Sequence, residues 1–224
     1  MGRTQWRPCQ HRHHEPCDHA RRLDAKKKSL GASERDDEQR RAFRQQLRTR
    51  PASAFVIVDE SGTNLNLTPR YARAPRGQRA YGTVPRNTPP NTTVIAAMTM
   101  EGMGPAMTLP GATDTAAFVV YVEQFLVPSL VAGQVVVMDN LSAHKSTQIR
   151  ILIESCGCEL WYLPAYSPDL SPIELAFSKL KEWLRRAKAR TAEALEAAIA
   201  RALDEIGASD AHGYFAHCGY SVAS

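Results

Sequence analysis

Long apolar stretches are missing from this sequence. Hydrophobic residues make up 43% of its 224 positions, yet no run approaches the roughly 20 apolar residues that a membrane-spanning helix needs. Residues 1–20 carry Arg, His and Cys without the apolar centre of a secretory signal, so the pattern predicts a soluble, cytoplasmic protein. Cysteine is also sparse. Cys9, Cys17, Cys156, Cys158 and Cys218 are odd in number and scattered, which argues against a disulfide-stapled scaffold and predicts reduced thiols. The length suits one sizeable α/β core plus a short extra segment.

Positive charge is present but uneven. The formal net charge is +5; residues 1–50 hold 14 Lys/Arg against 7 Asp/Glu, and the remainder 14 against 16. Such an arm is either a solvated tail or a partner for a polyanion such as DNA, because each phosphate neutralised releases counterions. Residues 1–30 lack helical or strand periodicity and read as a disordered basic segment. Within them Cys9, His11, His13, His14, Cys17 and His19 have zinc-ligand chemistry, at spacings too tight for a common finger. Residues 31–50 read as a helical linker, polar and exposed, capped by Ser33 and acidic in its first turn.

The folded domain is expected over residues 51–224. An apolar, β-branched strand at 54–58 ends in Asp59 and Glu60. Pro and Gly punctuate an extended, hairpin-rich stretch over 61–90, followed by strands at 92–100 and 105–109 joined by a turn at 101–104. Thr113 or Asp114 can cap a helix that runs to Leu126. Elements then alternate: strand 134–138, helix 145–154, strand 159–163, helix 172–188 and a final helix 192–206 capped by Thr191. Antiparallel strands followed by this alternation predict an α/β, ribonuclease-H-like mixed sheet flanked by helices.

Chemistry concentrates at three acids. Asp59 and Asp139 each follow an apolar strand; if the strands are neighbours, both carboxylates leave the same sheet end. Two such carboxylates repel, and a divalent cation is the natural compensation, with oxygen-only ligands favouring Mg²⁺ or Mn²⁺. In Tyr166-Ser167-Pro168-Asp169-Leu170-Ser171-Pro172-Ile173-Glu174, Ser171 reads as an N-cap, Pro172 as the first helical residue, and Glu174 as a first-turn acid. The same Ser-x-x-Glu spacing also describes a capping box, which would occupy Glu174 structurally. Glu60, one residue on from Asp59, is assigned to the opposite strand face. Ser142 near His144 lacks the surroundings of a nucleophile and its base.

Between Asp139 and Glu174 lie 34 residues. With that spacing, Asp59-Glu60-Ser61-Gly62, Asp139-Asn140 with His144-Lys145, and Tyr166 through Glu174 together resemble the DDE transposases of the mariner superfamily, in their bacterial insertion-sequence branch. Pro75-Arg76-Gly77 with Arg79, and His217-Cys218-Gly219-Tyr220, also match. The similarity runs from about Lys26 to Tyr220; Ser171 stands where Asn is usual. It implies that Asp59, Asp139 and Glu174 are the catalytic, metal-binding triad. They would hold two Mg²⁺ or Mn²⁺ for cleavage at transposon ends and strand transfer into a TA target. The implied partners are DNA and a second copy of the chain on paired ends, at the nucleoid.

Asn140 and His144 are candidates to support the metal-bound carboxylates. Arg73, Arg76, Arg79, Lys145 and Lys179 are candidates for DNA contact, alongside Arg70 and a basic run on the Glu174 helix that includes Lys181, Arg185, Arg186, Lys188 and Arg190. Leu175, Phe177, Leu180 and Leu184 of that helix read as core. The helix-turn-helix region that family members carry ahead of the catalytic domain has no counterpart in these residues. A truncated, non-catalytic DNA-binding remnant is therefore the competing expectation, and a different nuclease on the same fold a third.

Overall fold

Phe55-Val56-Ile57-Val58 are all buried, two side chains on each sheet face. This strand is the centre of the sheet. In the computed structural model, residues 32–87 and 90–222 are described; the predicted basic segment and its Cys/His group lie outside them. Five strands, β1 (Phe55–Thr63), β2 (Thr92–Thr99), β3 (Gly102–Pro110), β4 (Val135–Met138) and β5 (Glu159–Tyr162), form one sheet in the order β3-β2-β1-β4-β5. β1, β2 and β3 run antiparallel, while β4 and β5 join in parallel. This is the mixed sheet expected of a ribonuclease-H-like domain.

Strand alternation sorts the core into two halves. Phe55, Ile57, Val94, Ala96, Val135 and Val137 face one side, covered by α4 (Pro172–Ala187), α5 (Ala192–Asp204) and α6 (Ala208–His217). Val56, Val58, Ile95, Val136 and Met138 face the other, covered by α2 (Thr115–Tyr121) and α3 (Thr147–Ser155). Caps act where side-chain chemistry permits: Asp114 accepts from Ala117 N–H, Ser146 from Gln148 N–H, and Thr191 from Ala194 N–H.

Several boundaries differ from expectation, each for a physical reason. β1 continues to Thr63, past Asp59, because β2 supplies antiparallel partners along Ile57–Thr63 after the parallel partner β4 has ended. Residues 64–87 contain no strand, so the expected hairpins are absent from that stretch. The β2–β3 connection is tight, which lets β3 begin at Gly102. The helix after Ser142 is delayed to Thr147 by a short 3₁₀ turn over Ser142–Lys145. An additional helix, α6, follows α5; its apolar signal is weak, and Ala211 and Phe215 carry its buried face.

The linker helix departs most from its polar appearance. α1 (Asp37–Leu47) is capped by Asp36, not Ser33, and buries Arg40, Phe43 and Leu47 against the domain. Three positions at i, i+3 and i+7 suffice to dock a helix whose remaining faces are charged. Arg190, expected in a DNA-facing run, donates instead to the carbonyls of Leu65, Leu67 and Ala189.

Gly102 is required where β3 meets the start of α6. Its φ is +122°, Met103 N–H donates to Ile206 C=O, and a Cβ at Gly102 would sit 2.5 Å from that oxygen. Gly102→Ala must therefore move backbone, and its expected cost is about 1–3 kcal/mol. Thermal melting should show a fall of several degrees, whereas Gly104→Ala, whose added Cβ meets nothing closer than 3.6 Å, should melt close to the parent.

Candidate active site

The position of the first two acids follows from strand register. In the parallel pair, Phe55 lies beside Val135, Val56 beside Val136 and Ile57 beside Val137. Two further steps bring Asp59 level with Asp139, on adjacent strands whose spacing is about 4.8 Å. Asp59 shares its strand face with Phe55 and Ile57, and Asp139 with Val135 and Val137, which is the face that α4 covers. β4 ends at Met138, so Asp59 leaves β1 where no strand flanks it on that side.

Glu174 is delivered by a constrained loop. Tyr166 adopts φ +54°, Pro168–Leu170 make a 3₁₀ turn, and Ser171 is extended before Pro172 opens α4. Ser171 makes no side-chain cap hydrogen bond, so the capping box does not form and Glu174 is left exposed at the cavity. The loop is held from two sides. Arg40 of α1, buried, donates through both guanidinium nitrogens to the Asp169 carboxylate at 2.9 and 2.6 Å, a bidentate geometry that fixes orientation as well as charge. The Tyr220 hydroxyl donates to Leu170 C=O at 3.1 Å in a buried contact.

Asp59, Asp139 and Glu174 line one cavity of about 380 Å³ with Asn140, Leu141 and the 163–168 loop. Burial pushes the Asp59 carboxyl up to about 7; the Glu60 N–H donated to it opposes this, and the Glu174, Asp139 and Glu60 charges reinforce it. A carboxylate so placed calls for a compensating cation. Three carboxylates are an all-oxygen donor set, which fits Mg²⁺ or Mn²⁺ and does not favour zinc. Among the described residues, no three His, Cys, Asp or Glu side chains converge on one point as a ready single-ion cage; the acids are spread over the cavity wall.

His144 bridges both sheet faces beneath the strand ends. Its ring is fully buried, lies 4.2 Å from the Phe118 ring between centroids, and places Nε2 3.0 Å from the Glu60 carboxylate. Nδ1 is in ion-pair contact with Asp139 Oδ1. Burial pushes the imidazole pKa down, but the two carboxylate contacts outweigh it and raise the ring to about 9. His144 is thus an imidazolium at neutral pH. The Leu141 N–H also donates to Asp139 Oδ1, leaving Oδ2 without a protein partner among the described residues.

The remaining sequence candidates separate by location. Asn140 lines the cavity, and Lys145 is exposed beside His144. Arg73, Arg76 and Arg79 are exposed in the irregular 64–87 segment. Lys179 is engaged elsewhere: it donates to Asp210 at 2.6 Å and to Glu205 C=O, joining α4 to α6. Sequence reasoning placed Glu60 on the far face but missed its partnership with His144, since the bend after β4 that turns His144 back is a tertiary feature. It also missed Arg40–Asp169; the one signal was an Arg three residues before Phe43 on the apolar stripe of α1.

A protein-family profile described as DDE superfamily endonuclease matches residues 54–196. No curated protein sequence matches the chain. Among solved structures, a pre-cleavage Mos1 transpososome is similar at TM-score 0.68 and 18% identity, covering 90% of this chain and 67% of that one. The Mos1 mariner paired-end complex with Mn matches at TM-score 0.67 and 15% identity, covering 87% and 64%. The catalytic domain of Mos1 mariner transposase matches at 0.58 and 15%, covering 82% and 90%. At these identities the likeness is one of fold. This chain spans about two thirds of the full transposase chains.

The electrostatics set a pH dependence of stability. Asp59 is raised from 3.8 to about 7 and His144 from 6.5 to about 9. Each contribution is therefore complete below the unfolded value and lost as pH rises through the folded one. Asp169, lowered chiefly by its hydrogen bond to Arg40, acts in the opposite sense, below pH 3.8. In EDTA the melting temperature should fall from pH 5 to pH 9, and Mg²⁺ should restore more at pH 8 than at pH 5. An ion-induced gain that is equal at both pH values, or absent in both, would contradict the coupling.

Proposed function

The chain belongs to the DDE superfamily endonucleases, and from that membership we propose that it is a transposase catalytic domain that cleaves DNA at transposon ends and joins them to target DNA. The observation that carries this reading is the convergence of Asp59, Asp139 and Glu174 on one cavity. These three carboxylates would hold two Mg²⁺ or Mn²⁺ ions. When bound, the pair supplies Lewis-acid activation of the attacking oxygen and stabilisation of the leaving one.

The chain's own residues contribute placement and charge. Leu141 N–H and His144 both contact Asp139 Oδ1, which leaves Oδ2 without a protein partner among the described residues. The His144 imidazolium offsets part of the negative charge that would otherwise repel a phosphodiester. Arg40, through Asp169, and Tyr220, through Leu170, keep the start of α4 in place, which holds Glu174 at the wall of the cavity that Asp59 and Asp139 also line. Asn140, at the rim, has an amide able to donate to a phosphate oxygen.

In hydrolysis, a water oxygen bonds to phosphorus as the bond to the 3′ oxygen breaks, leaving a 3′-hydroxyl and a 5′-phosphate. In joining, that hydroxyl attacks a target phosphodiester and the displaced strand leaves with its own hydroxyl. Neither step needs a covalent protein intermediate. Paired-end complexes are described for Mos1 transposase, and by analogy two copies of this chain would act on two ends.

The test is a cleavage and joining assay on supercoiled and pre-nicked DNA, with Mn²⁺ or EDTA, comparing the parent with Asp139→Ala and Glu174→Ala. Metal-dependent cleavage should fall by about 10³-fold or more in each variant. Binding without any cleavage by the parent would favour the non-catalytic remnant, and cleavage without joining a different nuclease on the same fold.

A further inference from the structure

Below Glu174 the surface changes sign. Five residues on one side of α4, Glu174, Phe177, Ser178, Lys181 and Arg185, recur at i, i+3, i+4, i+7 and i+11 and line a second cavity of about 170 Å³ together with Arg70. A third cavity continues it, sharing Arg70, Ser178 and Arg185 and adding Pro69, Tyr71 and Glu182. Glu174 is the common wall between the active-site cavity and this groove. Among the described residues, Arg70 and Lys181 have no ion-pair partner. Arg185, only 15% exposed, has one loose contact, 3.7 Å to Glu182. Its guanidinium is therefore held in the groove with donors to spare.

Three cations facing a groove that opens beside a metal-binding acid are arranged for an anion that continues out of the active site. The geometry points to a phosphate track: Arg70, Lys181 and Arg185 grip the backbone of the DNA strand flanking the reacting phosphodiester. This rests on the reading of the acid cavity as a DNA-cleaving centre. Lys181 and Arg185 lie about 10 and about 16 Å along the helix from Glu174. One strand of duplex presents a phosphate every 3.4 Å or so of axis, so the track holds phosphates about three to five nucleotides from the cut. Tyr71, 90% exposed at the mouth, offers a ring for an unstacked base. Backbone contacts of this kind position without reading sequence.

The track also selects among the basic residues of α4. Lys179 is tied to Asp210 and the Glu205 carbonyl, and Lys188 is the exposed left-handed cap of the helix, outside the groove. Charge on this helix is therefore not equivalent from one position to the next.

The experiment measures affinity of the full chain for a fluorescent duplex of about 30 base pairs in EDTA, across a salt series. The variants are Arg70→Gln, Lys181→Gln and Arg185→Gln, with Ser178→Glu, which sets a carboxylate in the groove at an exposed position without removing any packed side chain. Lys188→Asn is the charge control; it removes one cation and leaves a residue suited to the left-handed cap. Each Gln variant should lower the slope of log affinity against log salt by about 0.9, the triple variant by about 2 to 3. Ser178→Glu should weaken binding at least tenfold, and Lys188→Asn should keep the parental slope. Parental slopes in the Gln variants with parental affinity in Ser178→Glu would overturn the track, as would a parent chain that binds no DNA at 50 mM salt. Groove variants that bind as the parent does, in a chain whose Mn²⁺-dependent cleavage is intact, sink the track alone. Weakened groove variants in a chain that never cleaves sink the endonuclease reading alone.

Discussion

The structure depends on a buried acid whose cost the fold creates and only partly offsets. Parallel pairing of β1 with β4 sets Asp59 level with Asp139 on the face covered by α4, and burial raises the Asp59 carboxyl to about 7. In a fold selected for stability alone Asp59 would be replaced, because a buried carboxylate costs free energy and neighbouring acids add to that cost. Around it, two apolar half-cores supply the stability that tolerates the strain. The site's chemistry follows from the same fact: three acids on one cavity are an all-oxygen donor set, which fits a hard divalent cation.

His144 shows how the domain limits the damage. One imidazolium, packed at a tilt against the Phe118 ring and placed between Glu60 and Asp139, contacts one oxygen of the second acid and lowers the net negative charge beneath the cavity. The third acid is managed differently. Glu174 stands at the exposed first turn of α4, and its placement relies on the loop before it being clamped through Asp169 and Leu170. Because Arg40 belongs to α1, the helix ahead of the catalytic domain is mechanically joined to the segment that delivers the last acid.

Much of this was legible in the residues. Apolar runs ending in Asp, the Ser-Pro-x-Leu-Ser-Pro-x-Glu approach and the caps at Asp114 and Thr191 each act over a few residues, and local chemistry decides them. The failures share a cause. β1 outran its expected end because a distant strand was there to pair with Asp59 through Thr63. α1 looked solvated because three buried positions are few among its charges, and α6 hid behind a shallow apolar pattern. The Ser171–Glu174 capping box was compatible with sequence and did not form.

By itself the sequence determined which residue types exist to do chemistry, and their order: three acids spaced along strand ends and a helix start, with basic residues between them. Those properties rest on covalent neighbours and periodicity. Only the tertiary structure decided which charges meet. Whether Lys179 or Lys181 faces an anion, whether Arg40 is solvent-exposed or a clamp, and whether Glu60 stands alone or holds His144 depend on packing partners dozens of residues away, and the Coulomb energy of each charge is set by those neighbours and by the burial they impose.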